Sequence, residues 1–487
     1  MAQVTVEPNL CYFTGLTLPE RDALYQYFSV KNPALNFMPR MRQLIARGII
    51  DGCEHLYNQK DGILATGLLK KALTVLPNIS IIDNRLKNVG PTWEEAKKNI
   101  RNIQLNQLTP RQDQIEAAVS MINGCRGVVT IATNGGKTIV GALAVKALGL
   151  KTLWLVERKE LLHQTSEELS SLLGVPVGKI GDGIKKDMPF ITVAMAQTIR
   201  PKNREWVEYL AKFNVVIFDE AHHLANATEQ KIGECLVNAP FRYAMTGSLP
   251  KDKLKALKIM GQTDCVNLYN ITNKELIDAG HSASPTVVLE TVEHQGIQDY
   301  RLVTVNGDTF PEKIPYMEQY ERLVSNNSRY DSLVSTEAVH WVKEGLSTFV
   351  IVDRVQQGQH IAALINEAGV KCEFLSGSDA TFYRKDKIKD FKLGILPCIV
   401  ATMIFDEGVN VPRIQSLILA GAGKSSVKLL QRVGRALRRK EGMAENVAFI
   451  VDFLHKGEKY SNRHSAERVR IYHKEAFEIK EGKTHKL

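Results

Sequence analysis

Short apolar runs alternate with helix-like segments along two long stretches of the chain. The first stretch starts near residue 100 and contains the runs GVVTIAT, KTLWLVE, FITVAMA, NVVIFDE and FRYAMTGS. The second starts near residue 325 and contains TFVIVD, KCEFLSG, PCIVATM and SLILAGA. Continuous β-branched runs separated by helices indicate a parallel sheet that is covered on both faces. The pattern therefore predicts an α/β protein with two tandem domains of this kind.

The same pattern sets the expected domain boundaries. Residues 1–95 mix aromatic positions with the basic stretch FMPRMRQLIARGIIDG and end near a Gly-Pro break, so we expect a small α+β accessory domain there. The first α/β domain is expected at 96–281, and the second at 327–487 with a basic helical tail. Residues 282–326 are more polar and are expected to form a linker or accessory element.

Composition narrows the class of protein. The 487 residues are too many for one core, and the net charge of +10 with a pI near 9.1 favours a polyanionic partner. The seven cysteines never form C-x-x-C, which argues against a zinc ribbon, an iron–sulfur cluster or a disulfide scaffold. No apolar run is long enough to cross a membrane, and the first residues lack a signal-peptide core. We therefore expect a cytosolic protein without a membrane partner.

The run IATNGGKT has the letters of a phosphate-binding loop, although Ile131 stands where the full pattern has its first glycine. A strand-like run precedes it and a helix follows, so backbone N–H groups and a helix N-terminus could hold phosphate. Lys137 would reach the β and γ phosphates, and the Thr138 hydroxyl would bind Mg²⁺. A glycine-rich helix start beside a surface lysine is the alternative. The other loop residues expected around the nucleotide are Thr133, Asn134, Gly135 and Gly136.

The run NVVIFDEAHHLA places Asp219 and Glu220 at the end of an apolar strand, 82 residues after Lys137. Catalytic groups gather at such strand ends in open α/β sheets. Asp219 would hold the magnesium ion, and Glu220 would orient and deprotonate the attacking water, with His222 completing the motif. The alternative is an acidic pair that caps a helix, and the lysine in the same α/β unit argues against it.

Polar residues next to other strands of the first domain add to this site. Arg111 and Gln114 lie on the helix predicted before the phosphate-loop strand, where an amide can read the edge of adenine. A polar helix surface is an equal alternative. Thr246, Gly247 and Ser248 follow another strand and could link the acidic pair to the neighbouring domain, although T-G-S is also ordinary turn chemistry.

The second domain supplies further candidates. In the run LLQRVGRALRRK, Gln431, Arg435 and Arg438 fall on one helical face and could stabilise γ-phosphate charge from a separate domain. The alternative is a basic helix that is solvated or contacts nucleic acid. In ATMIFDEGVNVP, Thr402 ends a predicted strand and Gly408 forms a turn at the expected domain interface.

Taken in order, these motifs resemble those of superfamily 2 helicases of the DEAH/DEAD-box type over about residues 100–455. RQDQ is similar to the Q motif, and ATNGGKT, LVERKELLHQ, AMAQT, DEAH and TGS are similar to motifs I, Ia, Ic, II and III. FVIVDRVQQG, ATMIFDEGVNVP and QRVGRALRR are similar to motifs IV, V and VI. The resemblance implies two RecA-like domains that bind ATP and Mg²⁺ between them, with nucleic acid across both. Asn134 and Asn410 depart from it, because many members have glycine and aspartate at these positions.

Within that superfamily the chain resembles phage UvsW-type DNA helicases, which are related to the XPB and RecG branches. This narrower resemblance is based on TGS, on the C-terminal tail and on ARGIIDGCEHLYNQKDGILATGLLKKA, which is similar to a small DNA-binding module. In that region Arg40, Arg42 and Arg47 could hold duplex arms or form a solvated basic face. Motifs Ia, Ic, IV and V of such helicases face the sugar–phosphate backbone. The matching residues are Arg158, Gln197, Thr198, Val355, Gln356 and Thr402.

The resemblance implies an ATP-dependent DNA helicase or translocase that unwinds or branch-migrates forked and branched DNA. Such a protein would act in recombination, repair or replication restart, in the cytosol of a bacterium or a phage-infected host. We expect a monomer, with a single-strand-binding or recombination protein as a candidate partner. Two alternatives stay open, an RNA helicase and a translocase subunit that does not separate strands. A non-catalytic nucleic-acid-binding protein is disfavoured by the catalytic candidates Lys137, Asp219, Glu220, Arg435 and Arg438.

Overall fold

The computed structural model describes residues 2–487 apart from 88, 107, 133, 248, 251, 265, 296–299, 306–307, 403–413, 422–446, 458 and 476. The chain divides into two compact units, Met1–Ile271 and Thr272–Leu487. Each unit has its own sheets and its own hydrophobic core. Among the described residues, no helix is long and apolar enough to cross a membrane.

The first unit begins with a small α+β module. Its elements are β1 (Gln3–Val6), β2 (Leu10–Thr14), α1 (Leu18–Tyr27), β3 (Ser29–Lys31), α2 (Pro39–Ala46), β4 (Cys53–His55), β5 (Tyr57–Asn58), β6 (Ile63–Ala65), α3 (Leu69–Val75) and β7 (Ser80–Asp83). The sheet has the order β5-β6-β2-β1-β7, and β3 pairs separately with β4. Helix α2 therefore lies in the connection between the two strands of a short hairpin.

The rest of the first unit is a larger sheet with helices. Its elements are α4 (Gly90–Asn99), α5 (Gln112–Gly124), β8 (Arg126–Ile131), α6 (Lys137–Leu148), β9 (Thr152–Val156), α7 (Lys159–Leu173), β10 (Gly178–Gly181), β11 (Ile184–Lys186), β12 (Ile191–Met195), α8 (Arg204–Leu210), β13 (Val215–Asp219), α9 (Ala227–Cys235), β14 (Phe241–Thr246), α10 (Lys253–Gln262) and β15 (Asn267–Ile271). The strand order is β11-β10-β12-β9-β13-β14-β8-β15. All neighbouring strands are parallel except β10 and β11.

Continuous apolar sequence explains the interior strands of this sheet. In β9, TLWLV, every residue is buried, as expected for a strand that is covered on both faces. Helix α6 lies close to it because Gly141 has no side chain: a Cβ there would be 2.5 Å from Cη2 of Trp154. The small module packs on α10, since Leu254 and Leu257 belong to the same apolar cluster as Leu24 and Phe28.

The second unit contains an all-parallel sheet and a separate hairpin. Its elements are α11 (Asn273–Asp278), β16 (Ser284–Glu293), β17 (Tyr300–Val305), β18 (Asp308–Lys313), α12 (Tyr316–Tyr320), α13 (Ser328–Lys343), β19 (Thr348–Val352), α14 (Val355–Glu367), β20 (Cys372–Leu375), α15 (Thr381–Leu393), β21 (Cys398–Thr402), β22 (Ser416–Leu419), β23 (Val447–Lys456), α16 (Lys459–Lys474) and β24 (Glu478–Lys486). The strand order is β20-β21-β19-β22-β23-β16-β24, and β17 pairs only with β18 in the described part of the chain. The predicted fold class, two tandem α/β domains with a small α+β module, is confirmed.

Two strands of this sheet were not predicted from the sequence. Strand β16 lies within the polar stretch 282–326, yet it pairs with β23 on one side and β24 on the other. Strand β24 follows the basic helix α16 and adds a polar edge to the sheet. Helix α16 is fixed to β23 by a buried ion pair, in which Arg468 Nε lies 2.9 Å from Asp452 Oδ2.

Candidate active site

Three neighbouring strands of the first unit bring the candidate site residues to one sheet edge. Strands β13, β14 and β8 are adjacent and parallel, so their carboxyl ends point the same way. The phosphate-loop candidate follows β8, Asp219 ends β13, and Thr246 ends β14 and is followed by Gly247. Residues that are far apart in the sequence therefore share the edge where open α/β sheets carry their ligands.

The loop between β8 and α6 has the backbone that a phosphate cradle needs. Asn134 and Gly136 adopt left-handed angles, with φ of 75° and 82°, and α6 starts at Lys137. Asparagine tolerates this region better than most residues, and glycine adopts it without strain. A Cβ on Gly136 would be 2.3 Å from Nε2 of Gln114, so only glycine fits at this position. The loop thus directs the N-terminus of α6 towards the sheet edge.

Two polar residues hydrogen-bond to this loop: Gln114, on α5, and Arg111, the residue before that helix. The Gly135 carbonyl accepts hydrogen bonds from Gln114 Nε2 (3.1 Å) and from Arg111 Nη2 (2.9 Å). Gln114 Oε1 accepts from the Arg111 backbone N–H (3.0 Å), and Asp113 binds the Arg111 guanidinium at 2.8 Å. Gln114 is only 1% exposed, so both ends of its amide are used inside the protein. These contacts hold the shape of the phosphate-loop candidate.

Lys137 reaches the acidic pair across the sheet edge. Its ammonium group forms an ion pair with the Glu220 carboxylate. Glu220 has a left-handed backbone, with φ of 49°, and its N–H donates to Asp219 Oδ1 at 2.9 Å. A non-glycine residue in this region is strained, and such strain clusters at functional sites. His222 completes the group, with Nδ1 3.6 Å from Glu220 Oε2.

The surroundings of Asp219 control its charge. Burial raises the pKa of the Asp219 carboxyl; the positive charge of Lys137 opposes this shift, and the Glu220 carboxylate adds to it. The indole Nε1 of Trp154, on the adjacent strand β9, donates to Asp219 Oδ2 at 3.3 Å. Trp154 was not among the residues singled out from the sequence. A tryptophan within a buried strand was the available signal, because its N–H requires a partner.

The residues expected to face a nucleic-acid backbone also lie at strand ends. In the first unit, Arg158 follows β9, and Gln197 and Thr198 follow β12, the next strand of the sheet. In the second unit, Val355 and Gln356 start α14 after β19, and Thr402 ends the neighbouring strand β21. Each unit therefore places its own set at one edge. In both units these residues lie at the carboxyl ends of neighbouring parallel strands.

The small module presents its predicted basic residues on the surface. Arg40 and Arg42 lie on α2, Arg47 caps its C-terminus, and all three side chains are exposed. Phe37 precedes the helix and is 86% exposed. An exposed aromatic ring beside three cations is the combination that binds unpaired bases and phosphate.

Six candidates lie outside the described residues. They are Thr133, Ser248, Gly408, Gln431, Arg435 and Arg438.

The comparisons with known proteins agree with this arrangement. Residues 107–251 match the family described as "Type III restriction enzyme, res subunit", and residues 327–440 match the "Helicase conserved C-terminal domain". The two matches together cover more than half of the chain.

Among individual relatives, the chain is similar to the ATP-dependent DNA helicase uvsW of Enterobacteria phage T4, with 23% identity over 72% of this chain and 69% of that protein. A putative Rad25 helicase of Halobacterium salinarum is 26% identical over 64% of this chain. The match spans about half (49%) of the length of that relative. In fold, the chain resembles the DNA-bound restriction-modification enzyme LlaBIII, with a TM-score of 0.55 and 15% identity over 77% of this chain and 31% of that one.

Motif order, the geometry of the sheet edge and both family matches lead to the same assignment. The chain belongs to the superfamily 2 helicases and is an ATP hydrolase of that superfamily.

Proposed function

We propose that this protein is an ATP-driven DNA motor that unwinds or remodels forked and branched DNA. One observation carries the proposal: Lys137 and Glu220, which are 83 residues apart, meet in an ion pair at the sheet edge where Asp219 also lies. A phosphate-loop lysine beside a strand-end acidic pair is the arrangement that nucleotide hydrolysis requires. DNA as the substrate is supported by the similarity to uvsW of phage T4, which is an ATP-dependent DNA helicase.

Each residue of the site is proposed for one step. Lys137 binds the β and γ phosphates, displacing its ion pair with Glu220 and leaving that carboxylate to orient and deprotonate the attacking water. The left-handed backbone at Glu220 turns this carboxylate away from the strand direction. Gln114 and Arg111 act indirectly, because they hold the Gly135 carbonyl and with it the loop.

The site also fits Mg²⁺. Within the described ranges no cluster of three or more His, Cys, Asp or Glu side chains is arranged to hold a metal ion. Magnesium in phosphate sites is bound by one or two protein oxygens together with the substrate phosphates, so such a cluster is not needed. Asp219 and the Thr138 hydroxyl, in the first turn of α6, are the two oxygen donors that we propose. Bound Mg²⁺ would neutralise charge on the phosphates.

Nucleic acid is proposed to bind along the strand-end residues of both units. Contacts there would be made with the sugar–phosphate backbone, which fixes register without reading sequence. The exposed arginines 40, 42 and 47 would add contacts to a duplex arm, and Phe37 could stack on an unpaired base. Converting the three arginines to glutamine should make the negative slope of log affinity against log salt shallower by about three, since each neutralised phosphate releases about one counterion.

A second candidate function is a DNA translocase that does not separate strands. It is favoured by the match of residues 107–251 to a restriction-enzyme subunit family. Two assays separate the candidates: unwinding of a forked DNA duplex, and displacement of a third strand from a duplex without a fork. Fork unwinding supports the proposal, whereas third-strand displacement without unwinding supports the translocase.

Substrate class is tested in the same experiment with matched RNA. A forked RNA duplex should not be unwound. Neither this duplex nor single-stranded RNA should stimulate hydrolysis as strongly as the DNA substrates. Unwinding or stimulation by RNA alone would overturn the DNA proposal. Lys137→Ala should abolish all activities, while Lys146→Ala, on the last turn of the same helix, should leave them intact.

A further inference from the structure

The two-stranded ribbon formed by β17 and β18 carries exposed apolar side chains on both faces. In an antiparallel pair, residues directly opposite each other share a face, and successive residues alternate between faces. Tyr300 and Leu302 therefore lie on one face, whereas Phe310 lies on the other, opposite Val303. Tyr300, Leu302 and Phe310 are 57%, 75% and 55% exposed. The described part of the ribbon thus offers large apolar groups to two opposite sides.

Ion pairs join the ribbon to α12, the helix that follows it. Arg301 Nε lies 2.8 Å from Glu312 Oε2 on the opposite strand, and Arg301 Nη1 lies 2.9 Å from Glu318 Oε1 on α12. Two-stranded hairpins are marginally stable by themselves in water, so the ribbon depends on such contacts for its position. One guanidinium group therefore connects both strands of the ribbon with the helix.

Helix α12 is in turn joined to the sheet edge that carries the nucleic-acid candidates of the second unit. Tyr320, its last residue, donates to Asp353 Oδ2 at 2.5 Å, and Asp353 directly follows β19. The next residue, Arg354, donates from Nη2 to Glu321 Oε1 at 3.2 Å. The N-terminus of α14, which is proposed to face a sugar–phosphate backbone, begins one residue later. The ribbon and that edge are therefore linked by a continuous set of contacts.

The spacing of the sheet puts the ribbon and α14 within reach of one nucleic-acid strand. Strand β16 leads into the ribbon and β19 leads into α14, with β22 and β23 between them. All these strands are parallel, so both carboxyl ends lie at the same edge, roughly 14 Å apart at about 4.8 Å per strand. This distance corresponds to about four stacked nucleotides at a rise of about 3.4 Å. A strand held at α14 can therefore reach the ribbon.

Two cations lie at the base of the ribbon. Lys313 ends β18, and its Nζ lies 5.1 Å from the centre of the Tyr460 ring, while Arg463 Cζ lies 6.0 Å from the same ring. Lys313 Nζ also donates to the Tyr460 hydroxyl at 3.3 Å. Both cationic side chains are exposed. Apolar groups that contact bases, next to cations that contact phosphate, are typical of surfaces that bind unpaired nucleic acid.

We propose that the ribbon contacts the first unpaired bases of forked DNA, with one face towards each of the two separating strands, and that strand separation depends on this contact. The inference rests on the proposed function, because it names the element with which that DNA motor parts the strands. Apolar side chains that insert beside a base step unstack it. A ribbon that is apolar on both faces suits two diverging strands, whereas a single docked protein surface would cover only one face.

The experiment measures two rates of the full chain: unwinding of a forked DNA duplex, and ATP hydrolysis stimulated by single-stranded DNA. The double variant Leu302→Ser/Phe310→Ser removes one exposed apolar side chain from each face. Unwinding should slow by about 10-fold or more because both base contacts are lost, while stimulated hydrolysis should stay within about 2-fold of the wild-type rate. Ile395→Ser is the matched control and should unwind as the wild type. Ile395 is 54% exposed and precedes β21, at the opposite edge of the same sheet.

The outcomes separate this inference from the proposed function. No stimulation of the wild type by any nucleic acid would overturn both. A double variant that unwinds forks as fast as Ile395→Ser would overturn the inference alone. A wild type that is stimulated but does not unwind forks would also overturn it and would leave the translocase as the function.

Two further measurements complete the test. A dimeric wild type that becomes monomeric in the double variant, measured by analytical ultracentrifugation, would assign the ribbon to contact between copies of the chain and would overturn the inference. If thermal unfolding shows that the double variant does not fold, Leu302→Ser, a single exposed substitution, decides the question by the same comparison with Ile395→Ser.

Discussion

The indole N–H of Trp154 donates a hydrogen bond to the Asp219 carboxylate, with 3.3 Å between Nε1 and Oδ2. The two residues lie on the adjacent parallel strands β9 and β13, where Trp154 is opposite Ile217. Asp219 is the carboxylate that we propose as a magnesium ligand. Removing a group that hydrogen-bonds to a metal ligand and orients it commonly lowers metal affinity by about 10-fold to 100-fold. The tryptophan is therefore part of the site, although it cannot touch the nucleotide phosphates.

Replacing Trp154 by phenylalanine removes this donor and keeps a large apolar ring. We expect Trp154→Phe to raise the Mg²⁺ concentration required for half-maximal hydrolysis by about 10-fold to 100-fold. The measurement is a Mg²⁺ titration of ATP hydrolysis. Trp206→Phe, on α8 of the same unit, is the control and should behave as the wild type. An unchanged Mg²⁺ requirement in Trp154→Phe would show that the hydrogen bond does not tune the site.

Gly141 is predicted to be essential for the position of Trp154. A Cβ at this residue would lie 2.5 Å from Trp154 Cη2 and 3.3 Å from Ile217, in the core beneath the site. We expect Gly141→Ala to destabilise the first unit by about 1 to 3 kcal/mol, despite the better helix propensity of alanine. Urea unfolding measures the loss. Gly90→Ala meets nothing within 4 Å and should be neutral, so equal stability of the two variants would contradict the packing argument.

The interior strands, and the position of the main candidate residues at strand ends, could be predicted from the sequence, because each has a local signal. Apolar runs such as TLWLV read directly as strands covered on both faces, and the DEAH run marks a strand end. Strand β24 could not be predicted in this way. Its sequence, EIKEGKTHK, is polar and mostly exposed, and it becomes a strand only because β16 offers an open edge.

Burial and pairing that depend on long-range packing were also beyond sequence reasoning. A glutamate on an amphipathic helix reads as a surface residue, and the burial of Glu229 depends on where α9 packs. In the same way, β16 lies in a polar stretch that suggested a linker, yet its pairing with β23 and β24 places it inside a sheet. The strands that pair with β16 are more than 150 residues away in the sequence.

The Arg468–Asp452 pair is predicted to hold the basic helix α16 on the second unit. Arg468 also donates to the Phe453 carbonyl (2.8 Å), and Tyr472 donates to Asp452 (2.8 Å). Burial alone would lower the pKa of Arg468, but the Asp452 carboxylate raises it above its ordinary value. We expect Arg468→Ala to cost about 3 to 5 kcal/mol, because it leaves a buried carboxylate without its partner.

Hydrogen exchange of peptides from β23 and α16 is the measurement for this loss, since it reports on the second unit separately. Arg470→Ala provides the control: its side chain is 80% exposed and its ion pair with Glu467 is long, at 4.0 Å. Exposed pairs contribute little to stability, so exchange should stay near wild type in that variant. Equal protection in Arg468→Ala and Arg470→Ala would contradict the anchoring role.

A buried histidine pair makes the second unit sensitive to acid. His294 Nε2 and His455 Nδ1 are 2.9 Å apart, and burial lowers the pKa of both rings, with His294 and Arg468 lowering that of His455 further. An unfolded chain would protonate both rings below about pH 6.5, whereas the folded chain keeps them neutral. Stability is therefore present above that pH and is lost as the pH falls.

The same exchange measurement between about pH 5 and about pH 8 tests this dependence. His294→Gln replaces one titrating ring with an amide that can still donate to His455, so the loss of protection at low pH should become shallower. His340→Gln, at an exposed position on α13, should keep the wild-type dependence. A His294→Gln variant that is as acid-sensitive as His340→Gln would contradict the assignment.

The most direct test of the central claim is ATP hydrolysis by Lys137→Ala in the presence of saturating single-stranded DNA. We expect kcat/KM to fall by about 100-fold or more, because the charge that stabilises the transferring phosphoryl group is lost. Lys146→Ala should remain near the DNA-stimulated rate of the wild type. Hydrolysis by Lys137→Ala at the wild-type rate would contradict the assignment of the motor site to the edge formed by β8, β13 and β14.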